Sequence, residues 1–352
     1  MKRTFLFAAL ILTALSSVAQ TQQPPFSDRV DVNVVLLDAV VADSDGNQIL
    51  GLDKEDFVVR ENGVEQTIDS VDYFTSRKLL NAREENAPFK VERVREERYV
   101  IFFFDKPAPG SGVSDWLNLA RRSARRFIDE DMLEGDRIAV VGHDVRLKVY
   151  SDFTNDKDQL RRALDQVHLY GPGVTRASSG SGPSILRNVD SKDMIRGTGT
   201  AYQALRTLAD SLRPIRARKN LVVFSPGILE PGDEIRGGIV VAHSRFLEPA
   251  INALNRSNVA VFGINALINA INPPPAVHTS LERISNETNG RYFRNTTSFD
   301  PALDQIEKST SGYYLISYRP SSRRANKGFQ KVEVTVRNRE FRVKSRAGYV
   351  VD

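Results

Sequence analysis

The chain has 352 residues, 41% of them apolar and 26% charged, the balance of a soluble globular protein with room for two or three domains. Forty-nine Lys plus Arg stand against 44 Asp plus Glu, and the resulting +5 is spread along the chain, so nucleic acid is not an expected partner. The lack of cysteine excludes a disulfide framework, a thiolate zinc site and a Cys nucleophile; the histidines, His143, His168, His243 and His278, show no metal-ligand spacing.

The first segment reads as an export signal. Lys2 and Arg3 precede an apolar run from Phe5 to Leu15, and Ser17, Val18 and Ala19 supply the small residues of a cleavage site. Residues 1–19 are thus expected to be a signal peptide and the product to be periplasmic or secreted. The run is shorter than the roughly 18 to 20 residues of a spanning helix, so no transmembrane anchor is expected after cleavage. Residues 20–29, with Pro24 and Pro25, read as a flexible lead-in. From Val30 the alternation of Val30, Val32, Val34 and Leu36 predicts a half-buried strand to about residue 42. Asp43-Ser44-Asp45-Gly46-Asn47 then predicts a hairpin turn, because no Glu follows at the spacing that a calcium loop of this type needs. Short strands at 57–60 and 67–71 flank Glu61-Asn62-Gly63 and complete an N-terminal β segment, 30–75, followed by a linker over 76–97.

The centre, 98–311, changes rhythm. Tyr99 to Phe104 is a continuous apolar run, as expected of a parallel strand buried on both faces. Residues 113–132 place Trp116, Leu119, Ala120, Ala124, Phe127 and Ile128 on one helical face. Outside that face lie Arg121, Arg122, Arg125 and Arg126, with Asp129, Glu130 and Asp131 one turn on, which predicts intrahelical pairs. Strands at 138–142, 221–224 and 259–264, a short edge strand at 148–150, and helices at 157–167, 200–215 and 244–258 continue the pattern. This is the βαβ order of a Rossmann-like, doubly wound, mostly parallel sheet. Residues 169–197, rich in Gly, Ser and Pro, read as a flexible loop, and Asp152 to Asp158 as a polar turn ending in a helix cap. Beyond it, Val332, Val334 and Val336 share one face, and Phe341 and Val343 continue the alternation. Segments 30–75 and 312–352 are each too small for a core of their own, so they are expected to form one β-sandwich in which the α/β centre is inserted.

In such sheets ligands bind at the carboxyl ends of the strands, here after Phe104, after Phe224 and near Thr198 to Thr200. RYVIFFFD ending in Asp105, DRIAVVGHD, GTGTAYQAL, KNLVVFSPGI and VAVFGINA together resemble a von Willebrand factor type A domain. The flanks VVADSDGNQILGLDKEDFVVRENGVEQTI, GYYLISYRP and RVKSRAGYVV resemble the acidobacterial VWFA-related family of exported proteins. The resemblance covers nearly all of residues 30–352 and implies a binding or adhesion role toward a protein or cell-surface ligand.

The chain departs from that family at its metal-ion-dependent adhesion site, which begins D-x-S-x-S. Asp105 is followed by Lys106, Pro107, Ala108 and Pro109, and the Asp expected after the fourth strand falls near Pro226. A hard divalent cation needs about six oxygen ligands, so neither Mg nor Ca is expected, nor any other cofactor. Lys106 either neutralises Asp105 or points into water. Ser111, Ser114 and Glu230 are oxygen donors that shifted loops could supply, and Thr198 or Thr200 could take the threonine position. The vestigial rim thus comprises Asp105, Lys106, Ser111, Thr198, Thr200, Ser225 and Glu230. No catalytic constellation emerges. Gly180-Ser181-Gly182 lacks the flanking strand and helix of a nucleophile elbow, Gly197-Thr198-Gly199 lacks a P-loop lysine, and adjacent His143 and Asp144 point to opposite faces as a solvated pair. A non-enzymatic binding module is the expectation. The alternatives are a cell-envelope hydrolase using Asp105, His143 or Glu230, and a structural subunit of an envelope assembly.

Overall fold

The computed structural model describes residues 34–44, 47–75, 94–95, 97–105, 114–168, 182–196, 198–228, 234–236, 239–241, 245–266, 279–294, 298–321 and 328–351. The expected signal peptide, the lead-in and most of the 76–97 linker lie outside these residues.

Four strands open the described chain: β1 (Val35–Ala42), β2 (Phe57–Glu61), β3 (Val64–Gln66) and β4 (Ile68–Thr75), with a two-residue β5 (Val94–Arg95) beside β4. Asn62 and Gly63 join β2 to β3 with φ of 50° and 85°, the pair of positive values that a two-residue hairpin requires and that Asn and Gly tolerate best.

The centre follows with β6 (Arg98–Asp105), α1 (Ser114–Arg126) opening into a wider turn over 127–131, β7 (Asp136–His143), β8 (Leu147–Thr154) and α2 (Lys157–Asp165). Next come α3 (Ser191–Arg196), α4 (Ala201–Leu212), β9 (Lys219–Ser225), a small hairpin of β10 (Glu234–Arg236) and β11 (Ile239–Val241), and α5 (Leu247–Arg256). β12 (Val259–Asn265), α6 (Thr279–Glu287), β13 (Arg291–Phe293) and α7 (Asp300–Thr310) complete it. Six strands form one sheet in the order β13-β12-β9-β6-β7-β8, parallel throughout except for β8, which runs antiparallel to β7 at the edge. Ile101 and Phe103 face a core shared with Leu205, Leu208 and Ile251; Phe102 and Phe104 face another shared with Trp116, Phe127 and Leu303. Burial on both faces is why β6 has no polar alternation.

The chain then returns through β14 (Gly312–Tyr318), β15 (Gly328–Val336), β16 (Arg342–Ser345) and β17 (Gly348–Val351). Two antiparallel-rich sheets result, β16-β1-β14-β4-β5 and β17-β15-β2-β3, in which strands from both ends of the chain are neighbours. They enclose Leu37, Val41, Phe57, Tyr314, Ile316 and Val332. On the other face of β1, Asp38 is buried against the α/β part, where Arg218 Nη1 donates to it at 2.7 Å and Asn289 Nδ2 at 2.9 Å. Burial alone would raise the Asp38 carboxyl; the charges of Arg218 and Arg346 and the Asn289 hydrogen bond outweigh it and hold the group below the usual carboxylate range.

Several expectations are corrected. Residues 182–196, part of the expected flexible loop, are built into the fold: Ser184 Oγ donates to Asp152 Oδ2 at 2.5 Å, the Ile185 amide donates to Oδ1 at 2.9 Å, and Ile185 and Met194 enter the core. Asp152 is therefore an internal anchor rather than part of a polar turn, while Asp156 caps α2 by accepting from the amides of Asp158 and Gln159. The short edge strand at 148–150 is an eight-residue strand. The arginines of α1 pair mainly between helices, Arg125 with Asp165 at 2.5 Å and Arg126 with Asp304 at 2.5 Å, because the neighbouring helices bring carboxylates closer than the helix's own next turn does. Arg126 also meets Glu130 at 3.4 Å. Among the described residues no helix is long and apolar enough to cross a membrane.

Candidate functional site

The order of the six strands locates the site. From β6 the chain moves outward to β7 and β8, then crosses back to β9 on the other side of β6 and continues to β12 and β13. The sheet thus reverses direction between β6 and β9, and the crevice outside the carboxyl ends of those strands is where open α/β sheets bind ligands. Asp105 ends β6, Ser225 ends β9, and His143 ends β7 directly opposite Asp105 in the register.

These three residues form one buried hydrogen-bonded unit. Asp105 is 2% exposed, His143 4% and Ser225 0%. Ser225 Oγ donates to Asp105 Oδ2 at 2.8 Å and accepts from the Gly227 amide at 3.1 Å. His143 Nδ1 lies 3.1 Å from Asp105 Oδ1, and Nε2 lies 3.0 Å from the Thr198 carbonyl oxygen. A carbonyl can only accept, so Nε2 carries a proton; a second proton lies between Nδ1 and the carboxylate. That shared proton makes the pair neutral as a whole, whichever of the two groups carries it. The ring also stacks on Phe103, with centroids 6.5 Å apart and planes at 18°. The proton shared with His143 thus satisfies a carboxyl buried at a strand end.

His143 and Asp144 point to opposite faces as expected, but neither side chain is solvated. His143 turns inward, while Asp144 pairs with Lys148, whose hydrogen bond opposes the raising effect of burial and keeps the Asp144 carboxyl low. The sequence named His143 only among the residues of the hydrolase alternative; its contact with Asp105 was not foreseen because the two stand in different strands. Matching the final residues of the two eight-residue strands 98–105 and 136–143 would have found the contact.

The remaining rim positions are also in use. Thr198 Oγ1 donates to the Met194 carbonyl at 2.5 Å and accepts from the Leu147 amide at 2.9 Å. Thr200 caps α4: its Oγ1 accepts from the Gln203 amide at 3.2 Å, and the Gln203 side chain bonds back to the Thr200 amide. Lys106, Ser111 and Glu230 lie outside the described residues. The described rim does not fit a divalent cation: both Asp105 oxygens already hold partners, His143 and Ser225, the hydroxyls of Ser225, Thr198 and Thr200 serve the chain itself, and Pro226 follows β9. Nor does it fit acyl transfer. A serine nucleophile needs the imidazole next to its hydroxyl with the acid behind it, whereas here Asp105 stands between Ser225 and His143.

No protein-family model and no curated protein matches the chain. Among solved structures, an aerotolerance-related membrane protein from Bacteroides fragilis is 15% identical with a TM-score of 0.39, over 60% of this chain and 98% of that one. The hypothetical protein BatB from Bacteroides thetaiotaomicron is 14% identical with a TM-score of 0.38, over 61% of this chain and 98% of that one. Proximal thread matrix protein 1 from the mussel byssus is 12% identical with a TM-score of 0.39, over 61% of this chain and 47% of that one, so the chain spans about half of its length.

Proposed function

We propose that the chain is an exported, non-enzymatic binding module of the von Willebrand factor type A kind, which docks a protein or cell-surface ligand through the loops at the carboxyl edge of its sheet and does so without a metal ion. The observation that carries the metal-free reading is the Asp105–His143 contact: a buried imidazole already hydrogen-bonds the carboxyl that would otherwise call for a cation. The strand order with its antiparallel edge, the site at the switch point and the signal-like residues 1–19 support the rest. Val145, an apolar side chain 58% exposed in the β7–β8 turn beside the rim, is placed where a docked ligand would meet it.

The test is calorimetry and thermal unfolding of the chain lacking residues 1–19 with Mg²⁺, Mn²⁺ and Ca²⁺. The expected result is no saturable heat and no change in melting temperature. A rise of several degrees that Asp105→Ala abolishes overturns the metal-free reading. The binding half is tested by the proteins that the immobilised chain retains from an envelope extract: retention that Val145→Asp leaves unchanged refutes docking at this rim.

A further inference from the structure

A second surface, far along the sequence from the rim, carries charge that the fold leaves unbalanced. β16 is the edge of its five-stranded sheet. β1 pairs with it on one side, from Ala39 opposite Ser345 to Ala42 opposite Arg342; on the other no described strand hydrogen-bonds to it, though β15 of the second sheet packs nearby. An edge strand offers a row of backbone donors and acceptors that an added strand can take up. Along β16, Arg342 and Lys344 are exposed while Val343 and Ser345 are half-buried, the period-two pattern of a strand with one polar face.

Two open depressions adjoin the strand. One, of about 420 Å³, is lined by Asn286, Asn289, Glu333, Lys344 and Arg346. The other, of about 590 Å³, is lined by Arg60, Arg337, Arg339 and Phe341. Val334, Thr335 and Val343 line both, so together they make a trough beside β16. In contrast to the arginines of α1, which find carboxylates on α2 and α7, Arg291, Arg339, Arg342 and Lys344 enter no ion pair among the described residues. Glu333 and Glu340 are the nearby acids, and both are exposed. Arg346 directs two nitrogens to the carbonyl oxygens of Asn255 and Leu36, and its Nε is buried without a partner. Lys344 as a whole is exposed, yet local loss of hydration, then the charges of Arg291 and Arg218, hold its ammonium below the ordinary lysine range. Like charges crowded at an open edge repel one another, and incoming negative charge would relieve that repulsion.

We infer that β16 is a docking edge for an extended acidic segment of a partner protein, which adds a sixth strand to the sheet and sets carboxylates at alternate positions against Arg342 and Lys344. Backbone hydrogen bonds supply the register and the alternating charge supplies the selectivity. The site is separate from the metal-free rim and stands or falls without it.

The probe is a dye-labelled peptide, Val-Glu-Val-Glu-Val-Glu-Val, followed by fluorescence anisotropy with the chain lacking residues 1–19. Saturable binding is expected, weakened on the order of tenfold by the double variant Arg342→Glu and Lys344→Glu, and by methylating alternate peptide nitrogens, which removes donors and leaves charge alone. Val145→Asp leaves it unchanged. The proposal is overturned if binding does not saturate, if the double variant binds equally well, or if the N-methylated peptide binds as tightly, since attraction would then be charge without strand addition. Circular dichroism checks that the double variant is folded. Should it not be, backbone amide shifts of residues 342–346 in the unaltered chain on adding the peptide are the second readout, and their constancy overturns the proposal.

Discussion

His143→Ala removes the imidazole that hydrogen-bonds a carboxylate 2% exposed and leaves the Thr198 carbonyl oxygen without its ring donor. Ser225 alone remains on Asp105, a neutral hydroxyl at 2.8 Å. Breaking a buried charged pair from one side costs about 3 to 5 kcal/mol, because the surviving charge stays in a poorly hydrated place. For a domain of this size each kcal/mol lowers the melting temperature by about 2 to 4 °C, so a fall of at least about 6 °C is expected. Removing both partners, Asp105→Ala with His143→Ala, should cost less than the two single changes together, with a coupling of at least about 1 kcal/mol. Urea unfolding at neutral pH measures all three variants, and nitrogen-15 NMR of the imidazole reads the protons directly, with a proton expected on Nε2. A loss below about 1 kcal/mol for His143→Ala, the range of a surface pair, or an unprotonated Nε2, would refute the reasoning.

The joint between sandwich and α/β part makes a second test. Asp38→Ala strands Arg218 and should cost about 3 to 5 kcal/mol at pH 7. Since the folded-state pKa of Asp38 lies below its unfolded value, its contribution is complete above about pH 4 and fades as pH falls through the folded value. The stability gap between wild type and Asp38→Ala should therefore narrow in acid, and a gap that stays constant down to pH 2 would contradict the assignment. Asp152→Ala releases Ser184 and Ile185, and limited proteolysis should then cut within 182–190 where the unaltered chain resists. At Gly290 an added Cβ would stand 1.8 Å from the Val261 carbonyl oxygen, which is backbone and cannot swing away, so Gly290→Ala should destabilise by more than about 3 kcal/mol. Gly135→Ala, with nothing within 4 Å, should change stability little in the same melting experiment.

What the sequence disclosed depended on whether one segment held all the information. β6 announced itself because a strand covered on both faces is apolar at every step, and the outer strands because one wet face imposes alternation. β8 was read too short because Lys148, Ser151 and Asp152 interrupt its apolar pattern; each is buried with partners, Asp144, Gln159 and Ser184, that lie in other segments or at its edge. Ile185 and Met194 are single apolar residues in a Ser- and Gly-rich stretch, too few to set up a period, and only the core that receives them shows their part. The rim behaved likewise. Asp105 could be picked out from its place at a strand end, but its partner His143 is 38 positions away, and a local reading left His143 and Asp144 to solvent.

The interleaving of β1 between β14 and β16 bears on how the molecule is made. A ribosome, or any channel that passes the chain amino end first, delivers β1 long before the strands that will flank it, so that strand must wait with both edges unpaired while roughly 270 residues go by. The central sheet needs no such delay, because its members arrive within the same stretch. Assembly is thus ordered in time, with the middle of the chain able to close first and the two ends sealing against each other last.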